Sequence, residues 1–155
     1  MASGPMAMTE IRLDSGRQLL EMTDRLDFGA VAAAWVQDSE NGHWWYLLVT
    51  PMVDSFGPTW IYERLLKVFQ KWKLPDGISP LDIRVASPFE SGVRTLFEGI
   101  DAKMIERGPA PVVDINIGNG LFARATVPYR TMTSSAKRGD SAKAFDQKVH
   151  GLLAA

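Results

Sequence analysis

The chain of 155 residues contains no cysteine, only two histidines and no apolar run long enough to span a bilayer. The lack of cysteine excludes disulfide bonds, thiolate metal sites and a cysteine nucleophile. With only two histidines, the sequence argues against a histidine-rich zinc site and against a serine–histidine triad. The first residues also lack the basic and continuous apolar segments of a secretory signal. Together these features predict a cytoplasmic protein with no membrane partner, no metal and no cofactor.

A strong net charge is missing as well, because 17 lysine and arginine residues face 18 acidic ones and leave a formal charge of −1. Such a chain has no overall attraction to nucleic acid or to anionic membranes, so nucleic acid is an unfavourable partner. Hydrophobic residues make up 46% of the chain and charged residues 23%, which is typical of a folded globular protein. At this length, a single domain is expected.

Three helices are predicted from apolar residues at helical spacing. The first covers residues 14–26, and the second begins at Pro58, a residue suited to the first turn of a helix. The third begins with a capping-box pattern, in which Ser87 caps the helix, Pro88 takes the first helical position and Glu90 the third.

Two β-hairpins and one single strand are predicted between these helices. The first hairpin turns at residues 41–42, an Asn-Gly pair, and both of its faces are apolar. It is therefore expected at the centre of the sheet, covered on both sides. The second hairpin turns at residues 118–120, and a three-residue loop there pairs Val113 with Ala125.

The predicted fold class is α+β, a mixed α/β arrangement in one domain of two or three layers. Its mixed sheet has about five strands, and the element order is α-β-β-α-β-α-β-β followed by a tail. Residues 1–13 are expected to be a flexible N-terminus and residues 14–130 the domain. Residues 131–155 form a polar C-terminal tail that is either loosely ordered or a short helix docked on the body or on a partner.

The stretch WWYLLVTPMVDSFGPTWIYERL, with the later DIRVASP and NGLFARATVPYR, resembles a family of small bacterial α/β proteins with no assigned function. The shared pattern is a tryptophan-rich strand ending in T-P-x-V-D, a helix that begins at G-P, and a later I-x-V-x-S-P. The resemblance covers most of residues 15–130. It implies a bacterial, cytosolic protein and carries over no activity and no site residue.

A candidate ligand site lies where two loops lead from predicted parallel strands into helices. Ligands of such sheets collect beyond the carboxyl ends of the strands, where helix N-termini point their free N–H groups. If the two strands are neighbours, residues from the loops 50–57 and 87–92 converge at one rim. An anion or a metal-bound phosphate would fit there, but helix capping explains the same residue types, so no residue is assigned a catalytic role. These rim residues are Thr50, Asp54, Ser55, Ser87, Glu90 and Arg94.

A nuclease motif can be composed from Pro80-Leu81-Asp82 and Asp101-Ala102-Lys103, which match a pattern used for metal-dependent phosphodiester cleavage. The motif is short and degenerate, and the chain lacks the broad basic surface of a DNA-binding protein. A metal-dependent nuclease is therefore kept only as a remote form of the alternative that the protein is an enzyme.

The stretch HWWYLLVTP, residues 43–51, is predicted as a strand whose side chains alternate between two faces of the sheet. Trp45 is expected beneath a helix. Trp44 and Tyr46 share the other face, near the hairpin tip. If an aromatic surface binds a ligand, Trp44 and Tyr46 are the residues expected to form it.

Two classes of function remain open. One is a non-catalytic binding or adaptor protein that acts through protein–protein contacts, with another protein or a second copy as its partner. The other is a small enzyme or an anion-binding protein with its site at the loops 50–57 and 87–92. The sequence favours the binding protein, since no group of residues points to catalysis more strongly than to capping.

Overall fold

The computed structural model describes residues 8–38, 40–100, 103, 105, 112–118, 121–131 and 140–155. The α+β class is confirmed, with helical residues at positions 103 and 105 and a further helix in the C-terminal segment that the predicted order did not contain. In the described part of the chain, no helix has the length and apolar character that crossing a membrane requires. The helices are α1 (Glu10–Arg25), α2 (Met52–Lys71), α3 (Ser91–Glu98) and α4 (Asp140–Ala154), and the strands are β1 (Ala32–Asp38), β2 (Trp44–Val49), β3 (Ile83–Ala86), β4 (Val112–Gly118) and β5 (Leu121–Arg130).

The five strands form one mixed sheet in the order β3-β2-β1-β5-β4. Only β2 and β3 are parallel neighbours, and the other three pairs are antiparallel. The first hairpin supplies the central strand β1, as predicted. In the second hairpin Val113 faces Ala125, also as predicted, while a register shift near the turn sets Gly118 opposite Leu121. The β3–α3–β4 crossover gives no second parallel pair, because β4 pairs with β5 at the far edge of the sheet.

The two faces of the sheet are covered unequally. A large core joins α1, α2 and α4 to one face. A smaller core joins α3 to the other face, where Ala32 and Ala34 contact the layer of Val93 and Phe97. The small alanine side chains let α3 approach the sheet closely. α3 has eight residues, and Ile105, outside α3, also packs on this smaller core.

Helix α1 is held on the sheet by hydrogen bonds from three aromatic side chains. Trp35, Tyr46 and Tyr129 donate to main-chain carbonyls of α1 at 3.0, 2.7 and 2.6 Å, and the acceptor of Tyr46 is the carbonyl of Gly16. Burial raises the pKa of both tyrosines above its ordinary value, so both phenols remain neutral donors at physiological pH. These bonds fix the position of α1 over β1 and β2.

Two helices begin earlier than predicted. α1 begins at Glu10 rather than residue 14, because the Thr9 side chain caps it by accepting a hydrogen bond from the Arg12 amide at 3.2 Å. α2 begins at Met52 and is interrupted by Gly57, whose φ of 81° and ψ of 162° are not helical. Glycine tolerates a positive φ at little cost, and Pro58 then opens the second part of the helix.

The C-terminal segment contains a helix of 15 residues that is docked on the body of the protein. Phe145 is fully buried and Val149 is 2% exposed, both in the large core. The Phe145 ring meets Phe28 edge to face, with ring centroids 5.3 Å apart. An ion pair between Arg64 and Asp146, with 2.7 Å between Nε and Oδ1, joins α4 to α2 at the surface. Of the alternatives left open for this segment, the helix on the body is the one observed.

Candidate functional site

The two rim loops meet at the carboxyl ends of β2 and β3. The strands are parallel neighbours, and their ladder continues to a hydrogen bond from the Thr50 amide to the Ala86 carbonyl at 2.9 Å. One step further, the Ser87 hydroxyl lies 2.9 and 2.8 Å from the two carboxylate oxygens of Asp54 and donates to this carboxylate. The structure therefore brings Asp54 and Ser87 together, as the sequence predicts for neighbouring strands.

The predicted capping box at α3 is wrong. The helix begins at Ser91, and Glu90 is its N-cap without a side-chain hydrogen bond. Residues 88–90 form a turn and a bend instead. The Ser87 oxygen accepts from the Phe89 amide at 3.0 Å within that turn and uses its own hydrogen for Asp54. A contact with a residue far away in the chain has displaced the local capping pattern.

The other rim residues do not assemble around this pair. Thr50 is fully buried, and its hydroxyl oxygen accepts from the Met52 amide at 3.3 Å, so it faces no ligand. Ser55, Glu90 and Arg94 are exposed. Among the described residues, no side-chain hydrogen bond or ion pair joins these three to Asp54 or Ser87. The rim thus contains one polar pair and three separate exposed side chains.

Replacing Ser87 by alanine is expected to lower the free energy of unfolding by about 1 kcal/mol, because a buried hydroxyl that both donates and accepts is lost. Urea denaturation followed by circular dichroism measures the change. Ser91→Ala, at the exposed start of α3, is the matched control and should stay within about 0.5 kcal/mol of the wild type. Equal effects of the two substitutions would contradict a stabilising Asp54–Ser87 bond.

The aromatic residues predicted at the surface are buried. Trp44 is 3% exposed and Tyr46 is fully buried, both in the large core. The prediction failed because both faces of β2 are apolar, and the sequence did not show which face receives α1, α2 and α4 and which receives α3. The neighbouring Trp45 is half-buried and lies on the opposite face of β2, where α3 packs.

An open groove of about 420 Å³ lies beside α3 on this partly covered face. Its volume falls in the range of small-ligand pockets, and most of its lining is apolar. Both β2 and β3 contribute to its floor, so the groove reaches the edge of the sheet. We call it the Trp45 groove, and its principal lining residues are Val36, Trp45, Leu47, Arg84, Glu90, Val93 and Leu96.

Two charged side chains border the Trp45 groove. The guanidinium of Arg84 lies 3.9 Å from the ring centroid of Trp45, a cation–π contact, and His43 meets the same ring at 4.2 Å between centroids. Within the described ranges, neither Arg84 nor Glu90 has an oppositely charged group within 4 Å. Burial raises the pKa of neighbouring Tyr62, and the charge of Arg84 partly offsets this rise. Over the described residues, both charges therefore lack an ion-pair partner and can meet a charged occupant.

The outer edge of β3 adjoins the Trp45 groove. In its parallel pairing with β2, Arg84 and Ala86 direct their main-chain groups toward β2, so Ile83 and Val85 direct theirs outward. The Ile83 amide donates to the Pro80 carbonyl. The Val85 amide and carbonyl form no hydrogen bond with any other residue that the structure describes. β3 thus presents free main-chain groups next to an apolar groove.

The nuclease motif receives no support from Asp82. Its carboxylate accepts from the Ser79 amide at 2.9 Å in a capping box and lies 3.8 Å from Arg12 and 3.5 Å from His43. Asp101 lies outside the described residues. Over the part of the chain that is described, no group of three or more histidine and acidic side chains is arranged to hold a metal ion.

The Trp45 groove and the β3 edge are described from this chain alone, without comparison to a related protein. The resemblance to small bacterial proteins stays a prediction from the sequence. No protein family, no curated protein and no solved structure matches this chain.

Proposed function

We propose that the protein is a non-catalytic binding protein that acts through protein–protein contacts at the Trp45 groove and the outer edge of β3. The observation that supports this most strongly is the juxtaposition of the two features. Arg84 and Ala86 belong to β3 and also line the groove. A polypeptide strand added to β3 would hydrogen-bond to Val85 and place side chains in the groove, as in β-strand addition. The proposed setting is the bacterial cytoplasm.

Exposed apolar side chains around β3 favour a protein as the partner. Leu81, in the turn before β3, is 84% exposed, and Phe89, in the turn after it, is 40% exposed. Leu66 on α2, the helix that packs against β3, is 45% exposed. Exposed apolar patches of this kind mark interaction surfaces. The apolar area extends beyond the groove on both sides, which suits a partner larger than a small molecule.

The rim at the loops 50–57 and 87–92 supports an enzyme or an anion-binding protein less well. The Asp54 carboxylate lies next to the only buried serine of the rim and accepts its hydroxyl hydrogen. A nucleophilic serine needs a base that takes its proton and is itself held in place by a third group, and no such group is described beside Ser87. An anion approaching the rim would also meet the negative charge of Asp54.

A phage-displayed library of random dodecapeptides, panned against the purified protein, tests the proposed function. We expect enriched peptides with apolar residues next to an acidic residue, since the groove is apolar and Arg84 lies at its border. Fluorescence polarisation with a labelled synthetic peptide should show an affinity that Leu47→Asp lowers by about tenfold or more. Arg84→Glu should weaken binding of the acidic peptide. Because position 84 is exposed, this substitution should leave the core intact.

The matched control for the groove is Ile11→Asp. Ile11 is 62% exposed on α1, the helix on the opposite face of the sheet. This variant should bind the peptide like the wild type. Absence of any enriched peptide, or binding that survives both groove substitutions, would contradict the proposed function.

A further inference from the structure

We propose that the partner is a second copy of this chain, joined by antiparallel pairing of β3 with β3 across a two-fold axis. This inference rests on the proposed function, because it names the partner of the same surface. The two sheets would become one continuous sheet. In this arrangement, three independent properties of the β3 edge match the same edge of the second copy.

The first property is the hydrogen-bonding register. The outward-facing residues of β3 are Ile83 and Val85, and Ser87 is the first residue after the strand. A two-fold axis at Val85 pairs Val85 with Val85 of the second copy and Ile83 with Ser87 of the second copy. Amides of Val85 and Ser87 then donate to carbonyls of Val85 and Ile83, about four hydrogen bonds in all. The Ile83 amide, already bonded to Pro80, is not needed.

The second property is charge. In the same register, Arg84 lies opposite Ala86 of the second copy, and Ala86 lines the Trp45 groove together with Glu90. Arg84 would therefore approach Glu90 of the second copy, and symmetry repeats the contact. Neither residue has an ion pair within its own chain over the described residues. An isologous interface requires this kind of reciprocal match.

The third property is the position of the exposed apolar side chains. Leu81 and Phe89 lie at equal distances in sequence on either side of Val85. The two-fold axis brings Leu81 of one copy toward Phe89 of the other. On the opposite face of the sheet, the two α2 helices would lie side by side with Leu66 between them. The pairing covers three of the large apolar side chains that are exposed in the single chain.

The edge is also protected against other strands. Short edge strands and charged side chains discourage unselective pairing, and β3 has four residues with the exposed Arg84 among them. A strand that brings a positive charge to Arg84 would be repelled. A second copy brings Glu90 to this position, so the same charge that protects the edge favours self-association.

Sedimentation velocity over a concentration series tests the dimer. The wild type is expected to sediment with twice the chain mass of 17.2 kDa. Arg84→Glu and Glu90→Arg, each alone, should shift the equilibrium to the monomer by about tenfold or more in dissociation constant. The double variant Arg84→Glu/Glu90→Arg exchanges the charges and should restore the dimer. Val85→Pro removes one pairing amide at a position where an edge strand tolerates proline, and should also give the monomer.

Arg25→Glu is the control, because it makes the same charge change at an exposed position on α1. It should leave the dimer unchanged. A wild type that stays monomeric at every concentration would overturn the dimer, as would a dimer that none of the three β3 and groove variants affects. Peptide binding by a monomeric wild type would then still support the proposed function, while a monomer that binds no selected peptide would end both proposals.

Discussion

Replacing Gly16 by alanine is expected to lower the free energy of unfolding by about 3 kcal/mol. Alanine normally stabilises a helix relative to glycine, by about 1 kcal/mol. At this position of α1, however, a Cβ atom would lie 2.5 Å from Cζ of Tyr129. The ring cannot easily withdraw, because its hydroxyl donates to the Leu13 carbonyl at 2.6 Å. Urea denaturation of the two proteins measures the difference.

Gly151→Ala is the matched control for this prediction. Gly151 lies in α4, and a Cβ added there meets nothing within 4 Å. The same substitution should therefore raise the free energy of unfolding by up to about 1 kcal/mol, from helix propensity alone. The two variants are expected to change stability in opposite directions. A stabilising Gly16→Ala would show that Tyr129 does not pack on Gly16.

The close approach at Gly16 also determines how β2 presents its side chains. Tyr46 donates to the Gly16 carbonyl and is fully buried beneath α1. Because side chains alternate along a strand, the fixed inward position of Tyr46 places Trp45 on the opposite face. On that face α3 packs against the sheet, and Trp45 borders the groove. The packing of α1 and the position of Trp45 are two consequences of one strand register.

The sequence predicted features that depend on neighbouring residues. The Asn-Gly turn gave the first hairpin, and the Val113–Ala125 pairing gave the register of the second. In each case the signal is periodicity or turn chemistry within a few residues, which a sequence displays directly.

Features that depend on distant contacts were not predicted. Ser87 matches a capping box within its own segment, yet its hydrogen bonds go to Asp54, 33 positions earlier, and to the following turn. Trp44 and Trp45 are equally apolar, and their environments differ only because α1, α2 and α4 gather on one face of the sheet. Which face of β2 becomes buried depends on where α2 and α4 pack. Residues 43–51 alone do not determine this.

Replacing Phe145 by alanine is expected to lower the free energy of unfolding by about 4 kcal/mol, because it empties a fully buried site between α4 and α2. The ring contacts Phe28 at 5.3 Å and Trp60 at 6.2 Å between centroids, so its loss leaves a cavity in the large core. Urea denaturation measures the stability, and hydrogen exchange of the α4 amides shows whether this helix detaches first.

Phe56→Ala is the control, since Phe56 stacks on the same tryptophan at 4.5 Å but is 49% exposed. Removing this ring should lower the free energy of unfolding by less than about 1 kcal/mol, because water already reaches half of the ring and no closed cavity forms. A loss at Phe145 no larger than that at Phe56 would mean that α4 is an appendage rather than part of the core. The full loss would establish that residues 140–155 belong to the folded unit that also holds α2 against β3, and thus supports the proposed interface.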